Sequence, residues 1–298
     1  STFTATGETC VPDGVTQGAT YKRKFHNFSP ALTLAYDVTR DVRVYAKVAT
    51  GYKSGGTSQR SANPINFSNG FQPEKMVSYE AGLKGDFFNR RVRFNVAGFY
   101  FTIDNYQASV QTGATAGDRD FVGIDNSKVY GLESDLTVAV TDNLRLNGSL
   151  GLLHTKFGVQ SLDVLRDTGQ TVTEQFIRQF SYAPKMSATV SADYDREVQT
   201  DWRLAAHVGF SYQSTMHTST NLTDDRTLDR RRLVDASLSL IHSGLGDRGS
   251  VELKFWGKNI FNEDYRTVAV GSFASLGATT VAEFGDPRTY GVSLIGKF

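Results

Sequence analysis

Along most of the chain, apolar and polar residues alternate with period two. Between Trp202 and Tyr212, the residues Trp202, Leu204, Ala206, Val208, Phe210 and Tyr212 fall on one face, and Arg203, Ala205, His207, Gly209 and Ser211 on the other. A strand points successive side chains to opposite sides, so this segment makes one apolar and one polar wall. Coiled as a helix, the same residues would scatter apolar groups all round. The pattern recurs in Val42, Val44, Ala46 and Val48 against Arg43, Tyr45 and Lys47, in Val77, Tyr79, Ala81 and Leu83 against Ser78, Glu80 and Lys84, and in Met186, Ala188, Val190 and Ala192 against Lys185, Ser187, Thr189 and Asp193. About eleven strands are predicted, centred near residues 30–38, 42–52, 75–87, 91–108, 121–140, 144–157, 181–195, 202–215, 230–241, 250–261 and 287–298.

The connections sort into two kinds. Short ones carry turn residues: Thr39-Arg40-Asp41, Phe88-Asn89-Arg90, Thr141-Asp142-Asn143, Glu197 to Asp201 and Ser243 to Gly249. Long ones run roughly over 53–74, 109–120, 158–180, 216–229 and 262–286, and the two kinds alternate strictly. Outer-membrane barrels have short periplasmic turns and long outside loops, whereas a soluble sandwich has no reason to sort its loops by end. The expected fold is therefore all-β, an antiparallel transmembrane β-barrel. Leu146, Phe94, Val208, Phe210, Val251 and Leu294 are expected toward lipid, and Arg93, Arg145, Arg203 and Lys254 toward the interior. Tyr36, Tyr52, Tyr100, Tyr130, Tyr194 and Tyr212 lie near strand ends on the apolar face, as interfacial girdles do.

Composition fits this picture only once the strands are seen. Of 298 residues, 39% are hydrophobic, and the mean hydropathy of −0.32 would pass for a soluble protein. No apolar run approaches the ~20 residues of a membrane helix. A barrel escapes that test because only every second residue of a strand meets lipid. A net charge of +1 draws the chain to neither nucleic acid nor an acidic partner. The lone Cys10 gives no disulfide framework and no zinc site. It is either an unpaired thiol or one end of a loop disulfide with a partner upstream of Ser1. The start, Ser1-Thr2-Phe3-Thr4, carries no signal peptide, which an exported protein would have lost. His26, His154, His207, His217 and His242 show no metal-ligand spacing, and there is no nucleophile elbow or phosphate loop. Neither an enzyme nor a cofactor is expected.

Several segments, in order, carry a family resemblance. Asn27-Phe28-Ser29-Pro30 leads into Leu32-Thr33-Leu34-Ala35-Tyr36. Val44-Tyr45-Ala46-Lys47-Val48-Ala49-Thr50-Gly51-Tyr52-Lys53-Ser54-Gly55-Gly56 is followed by Phe71-Gln72-Pro73-Glu74 and Tyr79-Glu80-Ala81-Gly82-Leu83-Lys84. Gly98-Phe99-Tyr100, Tyr130-Gly131-Leu132-Glu133, Lys258-Asn259-Ile260-Phe261-Asn262-Glu263-Asp264-Tyr265 and Asp286-Pro287-Arg288-Thr289-Tyr290 come after them. Over most of residues 25–298 this set resembles the C-terminal half of TonB-dependent outer-membrane receptors. The terminal strand, with Tyr290, Val292, Leu294 and Phe298 on one face, resembles the signal read by the barrel-assembly machinery.

The resemblance implies a portion of a twenty-two-stranded barrel in the bacterial outer membrane, with an N-terminal plug, upstream strands and the TonB contact lying outside this sequence. Residues 1–26 are expected to form an extracellular loop and 27–298 the strands. The odd strand count implies that 30–38 and 289–298 each pair with one strand here, their outer edges being paired by polypeptide beyond these residues. Arg43, Glu80, Arg93, Glu133, Arg145, Arg203 and Lys254 are candidates to line the interior against the plug. Arg60, Phe67, Phe71, Phe176, Arg178, Arg226, Arg230 and Phe273 are candidates for ligand contact from the outer loops. Arginine and aromatic groups suit an anionic, aromatic or chelate ligand such as a ferric siderophore; they also suit lipopolysaccharide phosphates. The competing expectation is an autonomous barrel of about twelve strands, a passive channel or an autotransporter translocator. A barrel lipase would need a Ser–His pair that is not evident.

Overall fold

The computed structural model describes residues 2–10, 16–61, 63–111, 119–158, 160–165, 171–176, 180–218, 227–245, 249–273 and 279–297. The chain opens with a hairpin, β1 (Thr2–Cys10) and β2 (Thr16–Lys24), which stands outside the main sheet. β3 (Ala31–Asp37) and β4 (Val42–Lys53) follow, and a long connection containing helix α1 (Pro64–Asn69) leads to β5 (Glu74–Phe87) and β6 (Val92–Asp104). A hairpin of β7 (Tyr106–Gln111) and β8 (Arg119–Ile124) separates these from β9 (Ser127–Ala139) and β10 (Leu144–Lys156). Next come the hairpin β11 (Gln160–Leu165) and β12 (Thr171–Phe176), the sheet strands β13 (Met186–Gln199) and β14 (Trp202–Gln213), and the short pair β15 (Met216–His217) and β16 (Thr227–Leu228). β17 (Arg231–Leu245), β18 (Gly249–Lys258), the hairpin β19 (Arg266–Phe273) and β20 (Thr279–Phe284), and β21 (Thr289–Lys297) complete the chain.

Eleven strands make one antiparallel sheet in the order β21-β18-β17-β14-β13-β10-β9-β6-β5-β4-β3. Each expected strand is there. The register carries the alternation across all of them. Leu34, Ala46, Ala81, Gly98, Leu132 and Leu152 are successive partners on one face, and Arg43, Lys84, Asn95, Asp135, Ser149 and Thr189 on the other. The apolar face is not packed under a second layer: Leu294 is 75% exposed, Val208 47%, Phe210 40% and Leu146 38%, while Phe94 and Val251 are half-buried. A sandwich would have buried this face; a barrel turns it to lipid. β3 hydrogen-bonds only to β4, and β21 only to β18, so the two do not pair with each other and the outer edge of each is open among the described residues.

Tight turns gather at one end. Thr39 Oγ1 accepts from Asp41 N–H, and Thr141 Oγ1 from Asn143 and Leu144 N–H, so the hydroxyls fix these turns. Phe88, Asn89 and Arg90 reverse the chain with positive φ. β21 finishes at this same end, with Lys297 opposite Ser250; Phe298 lies outside the described residues.

The sequence reading needs correction at the other end. Two segments expected as single strands are broken. The strand expected over 91–108 stops at Asp104, because Asn105 takes φ 54° and starts a separate hairpin. The strand expected over 121–140 is likewise split by Asn126 at φ 56°. Asparagine tolerates this left-handed conformation better than most residues. The strand expected from 181 begins at Met186, after Tyr182 at φ 55° and Pro184. The long connections carry hairpins of their own, and β1 pairs with β2 in the same way. The described core sits here: Tyr21 (1% exposed), Phe25 and Phe67 (4%) pack together with Tyr52 alongside. Asn63 caps α1 by accepting from Ile65 N–H, and Gly70 ends it at φ 61°.

Candidate functional site

The polar face of the sheet is the candidate functional surface, and it changes character from end to end. At the tight-turn end it is ionic. Arg43 and Asp37 form a two-pronged pair across β3 and β4 (Nε–Oδ1 2.6 Å, Nη2–Oδ2 2.9 Å). Arg93 and Asp86 repeat it across β5 and β6 at 2.8 and 3.2 Å. With Lys84, Asn95, Arg90 and Asp41 they surround a depression of about 360 Å³. The same end of β13 and β14 carries Arg203–Asp195 at 3.4 Å. The arginines of these pairs are all more than half exposed, so each pair stabilises little by itself. What they do is hold arginines in fixed positions on an open wall.

The middle of the face is neutral or self-satisfied. Tyr45 donates its hydroxyl to Glu80 at 2.7 Å, with the Lys84 ammonium over the Tyr45 ring at 5.7 Å. Ser149 and Thr189 hydroxyls meet at 2.6 Å. Asn147 donates to Asp193 at 2.9 Å, and Asp193 also meets His207 Nδ1 at 2.6 Å. Farther round, Trp256 donates its indole N–H to Ser293 at 3.1 Å. Beside it, His207, Asp235, Lys254 and Lys258 line a depression of about 400 Å³.

Toward the long connections the wall becomes aromatic. Phe99 and Phe101 stack on β6 with centroids 5.0 Å apart. Beyond them Tyr106, Phe157 and Phe180 form a trio, with centroid separations of 5.1, 4.8 and 4.2 Å. Phe71 and Phe121 pair at 4.8 Å. Burial, and after it the Glu74 carboxylate, pushes the Tyr106 hydroxyl above its ordinary range, so it remains a neutral O–H donor. Gln107 pins this hairpin to the neighbouring connection, its backbone N–H donating to Glu74 at 2.9 Å and its side chain to the Ser54 and Gln72 carbonyls. On the far side Arg231 lies over the Tyr265 ring, and Arg266 pairs with Asp229 at 3.0 Å. Among the described residues, no three His, Cys, Asp or Glu side chains gather as a metal site would need.

The residues singled out in the sequence fall as follows. Arg43, Glu80, Arg93, Glu133, Arg145, Arg203 and Lys254 all share the polar face by register. Arg145 stands opposite Asp193. Tyr290, Val292 and Leu294 share the apolar face and are exposed. Phe71 joins the aromatic cluster, whereas Phe67 is buried in the packing beneath α1. Arg60 and Arg230 are exposed near the long connections. Arg178 and Arg226 lie outside the described residues; Phe176 and Phe273 end β12 and β19. Sequence reasoning missed Tyr106 and Phe157, which are brought together only by the ladder of β6, β9 and β10. It also missed the aromatic stack of Phe99 and Phe101 on a face read as polar.

Comparison with known proteins agrees with this architecture. Residues 2–260 match the family described as TonB dependent receptor-like, beta-barrel. The vitamin B12 transporter BtuB of Photobacterium profundum is 24% identical over 240 residues, 78% of this chain and 34% of that protein. The ferric yersiniabactin uptake receptor FyuA from Yersinia pestis superposes with a TM-score of 0.70 at 20% identity, over 96% of this chain and 40% of that one. The ferric preacinetobactin receptor BauA from Acinetobacter baumannii gives 0.62 at 19% identity, over 94% and 36%. The chain thus spans about a third of the length of the curated relative.

Proposed function

Since the chain belongs to the TonB-dependent receptor β-barrel family, whose members are outer-membrane transporters and not enzymes, we propose that it forms part of a receptor that captures a scarce ligand outside the cell and imports it with TonB-coupled energy. The observation that carries this reading is the graded polar face. An aromatic mouth beside the long connections leads to a wall of fixed arginine–carboxylate pairs at the tight-turn end. Stacked rings suit a planar or chelating ligand, and a charged wall suits a polar plug that has to slide or rearrange against it. A ferric siderophore is the ligand class favoured here, with Tyr106, Phe157, Phe180, Phe71 and the outer arginines as its contacts.

Unpaired strand edges in hydrocarbon cost several kcal/mol per backbone group. The open edges of β3 and β21 therefore support pairing with further strands of the same receptor, and count against an autonomous twelve-stranded ring. Uptake tests the reading. A deletion strain carrying the intact gene should import radiolabelled iron from at least one ferric siderophore, and only with TonB present. Tyr106→Ala with Phe157→Ala should raise the half-saturating concentration about tenfold, as loss of an aromatic anchor does. Import of cobalamin but of no siderophore would keep the receptor and overturn the ligand.

A further inference from the structure

The apolar face holds a feature that lipid contact alone does not explain. Two rows of residues on this face, crossing β4, β5, β6, β9 and β10, bound a groove of about 960 Å³. In each of these strands the lining takes two apolar-face residues flanking one residue of the opposite face, which sets the groove on the apolar side. Its floor is low because Ala46, Ala81 and Gly98 are small. Along its edge toward the long connections run Tyr79, Tyr100, Tyr130 and His154, cross-strand neighbours in one line, with Tyr130 4.7 Å from His154 and 6.1 Å from Tyr100. A line of rings at one height marks a membrane interface. The groove therefore lies in the hydrocarbon of the outer leaflet.

Two residues farther out, roughly 7 Å along a strand, Lys128 and Lys156 are direct cross-strand partners on this same face. Such partners have Cβ atoms about 4.5–5.5 Å apart, and like charges there repel. No ion pair among the described residues neutralises either lysine. A repelling pair at headgroup height, above an apolar groove, is complementary to an anion that carries acyl chains.

We propose that this face binds a phosphorylated, acylated lipid of the outer leaflet, its phosphate bridging Lys128 and Lys156 and an acyl chain lying in the groove below the aromatic line. The occupant is a membrane lipid and not free phosphate, because the cations and the groove are continuous across the interfacial rings.

The test uses the complete receptor, purified in mild detergent and titrated by native mass spectrometry with bisphosphorylated lipid A, the same lipid with both phosphates removed, and phosphatidylethanolamine. The bisphosphorylated lipid should bind at least about tenfold more tightly than the other two, and K128A/K156A should abolish that preference. Gly98→Leu keeps both lysines and fills the floor. A Cβ at Gly98 meets nothing nearer than 3.9 Å, so a side chain can leave the backbone there without a clash. It should weaken binding about tenfold even if the lysine variant fails to assemble. Equal affinity for the three lipids, an unchanged preference in K128A/K156A, an unaffected Gly98→Leu, or displacement of the lipid by millimolar inorganic phosphate would each overturn the proposal.

Discussion

Asp193 on β13 and His207 on β14 are direct cross-strand partners on the polar face, with Oδ1 2.6 Å from Nδ1. Asp193 also accepts from Asn147 on β10, so one carboxylate ties three neighbouring strands together. Both members of the pair are nearly half exposed. His207→Ala in the complete receptor should therefore cost under about 1 kcal/mol in denaturant unfolding. A loss above about 2 kcal/mol would mean that the assembled receptor shields the pair from water.

The two faces of a strand should respond oppositely to charge. Leu238, near the middle of β17, is 47% exposed on the apolar face, and Ser237 beside it points the other way. Leu238→Arg should cost about 2–4 kcal/mol and lower the yield of folded barrel, seen as heat-modifiable migration in a gel. Ser237→Arg should assemble like the parent. Equal damage from both would contradict the assigned facing.

The ends of the sheet should be distinguishable from outside the cell. In a Cys10→Ser background, Ile65→Cys on α1 should react with a membrane-impermeant maleimide in intact cells, since Ile65 is exposed beside the long connections. Asp142→Cys, in a tight turn, should react only after lysis. The opposite pattern would invert the sidedness.

Gly70 should be irreplaceable for the packing of the first hairpin. Its φ of 61° is strained for other residues, and an added Cβ would fall 2.3 Å from the Tyr21 ring and 2.4 Å from the Gly56 carbonyl. Gly70→Ala should cost about 1–3 kcal/mol locally. It should show as faster protease cleavage in residues 1–73, with the thermal unfolding of the barrel unmoved.

The membrane-spanning sheet was legible because lipid imposes period two. Trp202 to Tyr212 could be read straight into β14, and the seven charged residues expected inside share one face, because a strand has only two sides. The hairpins beyond the sheet were not legible. In Thr171–Phe176, Thr-Val-Thr-Glu-Gln-Phe, no sustained alternation of apolar and polar residues runs through the segment, so it reads as loop. The packing of Phe67 on Tyr21 and the meeting of Tyr106 with Phe157 are long-range contacts, and no local spacing announces them. The lysine pair was hidden for a related reason: Lys128 and Lys156 become neighbours only through the register of β9 with β10.

The hairpins also bear on how such a receptor can change over time. β7–β8, β11–β12 and β19–β20 each close their own hydrogen-bond ladder and belong to none of the membrane sheet's pairings. Lengthening, shortening or exchanging one of them leaves every bond within the bilayer intact. Insertion into the membrane and, on the proposed function, choice of cargo would thus be written in separable stretches of the chain. A lineage can trade one outer hairpin for another without having to relearn how to fold in lipid.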